Sequence, residues 1–128
     1  MIHVVDTHAI IWFLQGEGLG AKARAVLRAQ ESALVVPTIA LAEIKFLKER
    51  GRIQPSLDEV MTVIGGDPRF TIYPFDEGVL ARMPTTLEIH DAIIVGTALS
   101  YENVFADDVQ IITRDAEIES SGLVRTVW

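Results

Sequence analysis

Short, largely apolar runs recur along this chain with helical patterns between them, and no other feature restricts its possible folds as strongly. Ile2–Val5, Ala33–Val36, Phe70–Tyr73, Val109–Thr113 and Val124–Val127 have the length of strands. Helical periodicity fills the gaps over Thr7–Gln15, Ala21–Gln30, Thr38–Arg50, Ser56–Ile64, about Asp76–Arg82, His90–Tyr101 and Ala116–Ser121. The punctuation agrees: GEGLG at 16–20 separates the first two helices, Pro37 stops the second strand, and GGDP at 65–68 ends the fourth helix. Thr38 and Ser56 are the expected N-caps, with Gly51 as a C-terminal stop. Strands that are apolar throughout, rather than alternating, are buried on both faces and belong to parallel sheets. The expected architecture is α/β: a single three-layer domain over residues 1–128, with a central parallel sheet of about five strands flanked by helices. Such sheets take ligands just beyond the carboxyl ends of their strands, where strand order reverses.

The bulk properties exclude several classes. No apolar run approaches the ~20 residues needed to span a bilayer. The start, MIHVVD, lacks the basic and apolar regions of a signal peptide, so a cytoplasmic setting is expected. Cysteine is absent, which rules out disulfides and thiolate metal sites and leaves oxygen and imidazole as ligands. A net charge of −7 argues against nucleic-acid binding through a broad basic surface. It is compatible with carboxylates gathered around divalent cations.

Four acids occupy unusual positions. Asp6 directly follows the first strand in VVDTHAIIWF, and Asp115 follows the fourth in IITRDAEI. Neighbouring strands would bring both to one end of the sheet; equally, each is a favoured cap for the helix after it. Glu43, in TIALAEIKFLKE, shares a helix face with Ile39, Ala40 and Leu47. Asp91, in HDAIIVGTAL, opens a helix that presents Ile94, Val95 and Ala98 on the same face. As a first-turn acid it also suits the helix dipole. Packed together, the four would repel one another and raise their pKa values unless a cation intervened. All-oxygen clusters of this kind suit Mg²⁺ or Mn²⁺.

Thr7 and Thr113 lie beside strand ends, where a hydroxyl can orient a carboxylate or a water. His8 and His90 adjoin Asp6 and Asp91, with a structural role or metal ligation both open to them. Arg114 is free either to meet a phosphate or to pair with Asp115 or Glu117. The basic residues of KFLKERGR (45–52), with Lys22, Arg24 and Arg28, form either a phosphate-steering rim or a solvated helix face.

The order D-T-H-A-x-x-W, then A-x-x-E, then H-D-A-I-I-x-x-T-A and finally T-R-D resembles the PIN domain, and within it the VapC-type toxin ribonucleases of toxin–antitoxin pairs. The resemblance runs from Ile2 to Val127. It implies metal-assisted hydrolysis of RNA phosphodiesters, with Asp6, Glu43, Asp91 and Asp115 holding Mg²⁺ or Mn²⁺ and Thr113 in the supporting hydroxyl position. It also implies a homodimer and a cognate antitoxin protein whose tail blocks the site. The chain departs from many relatives at Ala92, where they carry arginine after the third acid.

Rival enzymes fit poorly. A receiver domain with Asp76 as phosphoacceptor needs an acidic pair after the first strand and a late lysine, and no lysine follows Lys48. A haloacid-dehalogenase-type phosphatase needs D-x-D where this chain has His8. No G-K-[ST] motif supports a P-loop. A non-catalytic module whose acidic pocket binds a basic peptide stays compatible with the sequence, as does a PIN nuclease outside toxin–antitoxin biology.

Overall fold

The computed structural model describes all 128 residues. Its strands are β1 (Ile2–Val5), β2 (Ala33–Pro37), β3 (Phe70–Tyr73), β4 (Val109–Ile112) and β5 (Arg125–Val127). They form one wholly parallel sheet in the order β3-β2-β1-β4-β5. Seven helices accompany it: α1 (Thr7–Gln15), α2 (Ala21–Arg28), α3 (Thr38–Glu49), α4 (Leu57–Gly65), α5 (Glu77–Arg82), α6 (Ile89–Phe105) and α7 (Ala116–Ser121). The expected three-layer α/β architecture is therefore the observed one.

The burial pattern explains the apolar runs. Every residue of β1 is buried, because the strand lies in the middle of the sheet between covering layers. Successive side chains point to opposite faces. Val5, Leu34, Val36 and Ile112 join α1 to α4 in one core cluster, whereas Val4, Val35, Val109 and Ile111 join α6 and α7 in the other. The edge strands β3 and β5 are only partly covered. Strand order reverses at β1, which has β2 on one side and β4 on the other. The crevice at the carboxyl ends of β1 and β4 is thus the switch point where such sheets bind ligands.

Two local expectations are corrected. Thr38 is not an N-cap: Pro37 holds that position, and the Thr38 hydroxyl donates instead to the Tyr73 carbonyl at 3.0 Å, tying α3 to the end of β3. The sixth helix continues to Phe105 rather than stopping at Tyr101. Its last turn is exposed at Val104 and Phe105, and the Tyr101 ring lies between Tyr73, at a steep angle, and Phe105, tilted, at ring distances of 5.2 and 4.4 Å. Other boundaries shift by one or two residues, as helix ends fray. Ser56 does cap α4, accepting from Glu59 N–H at 3.1 Å.

Arg69 closes the end of α2. Its Nη1 donates to the carbonyls of Leu27 and Ala29 at 2.9 and 2.8 Å, serving groups that have no partner within the helix. Asp67 holds the guanidinium in place at 2.7 Å, and that contact keeps the Asp67 carboxyl below its usual range. Arg69→Ala is expected to destabilise the fold by about 1.5–3 kcal/mol, read as a lowered midpoint in urea. Arg69→Lys should recover little, since one ammonium cannot reproduce the planar fork.

Candidate active site

The four acids meet at the switch point. Asp6 leaves β1, Asp115 follows β4 after two residues, Glu43 comes from α3 and Asp91 from the first turn of α6. With Thr7, His8, Glu88, His90 and Ile94 they line one recess of about 260 Å³. The two strand-end acids arrive together because β1 and β4 are paired, Val5 opposite Ile112.

Asp6 does two things at once. One carboxylate oxygen accepts from Ala9 N–H at 3.0 Å and caps α1; the other accepts the Thr113 hydroxyl. Only 7% of the residue is exposed. Burial pushes its carboxyl up, against the hydrogen bonds from Thr113 and Ala9. Asp115 likewise caps α7, with one oxygen accepting from Glu117 and Ile118 N–H at 2.8 and 3.1 Å. The capping reading and the cluster reading are therefore both true of these residues.

Thr113 links the pair. It is 3% exposed; its hydroxyl donates to Asp6 and accepts from Asp115 N–H at 3.0 Å. Thr113→Val removes the hydroxyl at nearly constant volume and leaves that amide unpaired. We expect it to cost about 1–3 kcal/mol of stability and roughly 10–100-fold in any activity that depends on Asp6. Thr113→Ser, which keeps the hydroxyl, should recover most of both, as seen by thermal melts beside turnover.

The remaining acids feel burial and one another. Burial raises the Glu43 carboxyl, opposed by the nearby imidazoles of His90 and His8. Asp91 is pushed up to about 6, first by burial and then by Asp115, Glu88 and Glu43. The buried Thr7 hydroxyl turns toward Glu43, short of good hydrogen-bond geometry yet close enough to oppose the rise of that carboxyl. Oxygen donors and mutual repulsion fit a hard divalent cation. No three of these groups converge on a common point in their present positions.

Glu88 is a site residue that sequence reasoning missed. It caps α6 by accepting from His90 N–H at 3.0 Å, and its other oxygen meets His90 Nδ1 at 3.2 Å. Glutamate is not a customary cap, so LEIHD gave no cue beyond an acid three residues ahead of Asp91. His8 and His90 are exposed on the recess wall. Ala92 is 3% exposed, beneath the helix rather than in the recess. None of the basic residues expected as a rim lines the recess; Arg50 borders a neighbouring groove that includes Glu43 and His90. Arg114 pairs with neither Asp115 nor Glu117, and its guanidinium lies over the Trp12 ring at 5.0 Å.

Solved structures share this arrangement of elements. FitAcB from Neisseria gonorrhoeae superposes with a TM-score of 0.65 at 20% identity, over 99% of this chain and 97% of that one. VapBC2 from Rickettsia felis, bound to a DNA fragment from its promoter, gives 0.68 at 12% identity over 99% and 98%. A toxin–antitoxin complex from Klebsiella pneumoniae gives 0.61 at 19% over 98% and 96%. No curated protein sequence matches the chain. At these identities the likeness speaks for the fold alone. The sequence itself matches the PIN-domain profile over residues 3–121, nearly its whole length, and the chain therefore belongs to the PIN-domain family.

Proposed function

We propose that this protein is an endoribonuclease that hydrolyses RNA phosphodiester bonds with Mg²⁺ or Mn²⁺, and that it acts in the cytoplasm as the toxin of a type II toxin–antitoxin pair. PIN domains are generally nucleases. The observation that carries the reading is the convergence of Asp6, Glu43, Asp91 and Asp115 on one recess at the switch point, with three of the four carboxyls raised. Groups that resist ionisation when packed together are stabilised by a cation, and perturbed carboxyls in a cleft mark functional sites.

A divalent cation bound there supplies positive charge at the scissile phosphate and at the attacking water. Asp6 and Asp91 are the proposed direct ligands, with Glu43 and Asp115 ligating directly or through water. Thr113 fixes the rotation of Asp6 and the approach of Asp115. The Thr7 hydroxyl is placed to orient the Glu43 carboxylate. A cation held by these residues would let the site accept an anionic substrate that the bare carboxylates would repel.

The likeness to a toxin–antitoxin complex from Klebsiella pneumoniae supports a protein antitoxin as partner, and a homodimer is the proposed assembly. Inducible expression in bacteria tests the biological half. Wild type is expected to arrest growth, and Glu43→Gln at matched expression is not. Arrest by both forms alike, or by neither, would overturn the toxin assignment.

A further inference from the structure

Asp6 and Asp115 have a second side. Away from Glu43 and Asp91 they line, with His8, Trp12 and Arg114, another recess of about 260 Å³. The two recesses share Asp6, His8 and Asp115, so they lie side by side at the strand ends. Their chemistry differs: the first is walled by acids, whereas the second contains an arginine and two aromatic rings.

Arg114 is the unusual member. It is exposed, adjacent in sequence to Asp115, and lines a recess with two carboxylates, yet it forms no ion pair with either. Its guanidinium rests instead over the indole of Trp12. Trp12 is itself fixed: Trp128 meets it edge-on at 5.3 Å, and His8 lies tilted at 5.4 Å. Gly18 approaches so closely that an added Cβ would come within 2.8 Å of the indole. A rigid aromatic support thus holds a planar cation clear of the carboxylates that would otherwise neutralise it. Cation–π contact leaves the edge of the guanidinium free to donate, and that edge matches the paired oxygens of a phosphate.

Resting on the nuclease reading above, we propose that the Arg114–Trp12–His8 recess is a nucleotide subsite next to the scissile position. In it Arg114 binds a phosphate of the adjoining single-stranded nucleotide, and Trp12 positions Arg114 and offers its ring edge to the base. The acidic recess holds the bond to be cut, and the aromatic recess holds the strand beside it. An enzyme with net charge −7 and no lysine or arginine in its acidic recess gains from such a cation in retaining RNA.

Both tryptophans of the chain, Trp12 and Trp128, belong to this cluster, so intrinsic fluorescence reports its occupancy without reference to activity. The full chain is titrated with a short 2′-O-methyl oligoribonucleotide in Ca²⁺, over a series of salt concentrations, with the strand's integrity checked afterwards. Emission is expected to change saturably. Arg114→Gln should lower the slope of log affinity against log salt by about 0.7, the value of one phosphate contact on a single strand. Its KM for RNA in Mn²⁺ should rise roughly tenfold or more with kcat little changed. Arg114→Lys, which keeps the charge, should keep the slope. Arg114 is exposed, so both variants are expected to melt like wild type. An Arg114→Gln protein with unaltered slope and KM overturns the subsite while leaving the nuclease reading intact. Oligonucleotide binding with no change in emission does the same. Failure of wild type to cleave any RNA in Mn²⁺ sinks the nuclease reading itself.

Discussion

Asp6→Asn is expected to abolish RNA cleavage while leaving the fold as stable as wild type or more so. The side chain does structural work, and asparagine can repeat it. Asn serves as N-cap about as well as Asp, so the bond from Ala9 N–H survives. The amide nitrogen then takes the place of the second oxygen and can donate to the Thr113 hydroxyl, which has a lone pair to accept it. What is lost is a charge at a site 7% exposed, where burial already disfavours ionisation. Removing that charge relieves a cost of folding. For metal binding the outcome is opposite, because a neutral amide is a poor substitute for an anionic ligand. The loss of turnover should exceed the roughly 10–100-fold associated with supporting partners alone. Asp6→Ala provides the contrast: it also removes the cap, costing about 1 kcal/mol, and strands the Thr113 hydroxyl. Thermal melts beside cleavage assays separate the two roles. An Asp6→Asn protein that cleaves RNA like wild type, and still needs metal, would remove Asp6 from the proposed mechanism.

Metal-free protein should lose stability as pH rises from about 4 through about 6, and divalent metal should restore it at neutral pH. The Asp91 carboxyl titrates at about 6 in the fold, above its ordinary value in an unfolded chain. The folded state therefore binds that proton more tightly. Its contribution is fully present below about 4 and is lost as pH climbs past 6. Asp6 and Glu43 are shifted the same way and add to the trend. Asp67 runs against it, since its lowered carboxyl stabilises only when ionised, but that contribution fades at still lower pH. Asp91 is partly open to solvent, so its own share is about 1 kcal/mol after screening. The clearest readout is the difference in Tm between Asp91→Asn and wild type in EDTA. It should be near zero at pH 4, grow in favour of the variant to pH 7, and reverse sign with added Mn²⁺. A difference that stays flat with pH would show that Asp91 is not crowded by its neighbours.

The sheet was legible because burial on both faces leaves unmistakable runs such as ALVV and VQII, and the edge strands were legible from Pro74 and the chain's final residues. The acids were legible for a related reason: Glu43 and Asp91 break apolar helix faces, and Asp6 and Asp115 interrupt the passage from strand to helix. What sequence could not show depends on strand neighbours and rotamers. The Thr113–Asp6 bond spans 107 residues and exists only because β1 lies against β4. Thr38 reads as a cap from its position, but the adjacent end of β3 offers the Tyr73 carbonyl and captures its hydroxyl. Arg114 had two acids nearby in sequence, and tertiary packing offered Trp12 instead. Glu88 entered the recess by capping a helix with a residue seldom used for the purpose.

In the proposed function these carboxylates form a metal-dependent nuclease centre. The most direct test is to incubate the purified protein with a mixed RNA pool in Mn²⁺, in Mg²⁺ and in EDTA, beside Asp6→Asn. Fragments are expected with either metal, none in EDTA, and none from the variant. Cleavage that persists in EDTA, or in the variant at the wild-type rate, would contradict that function.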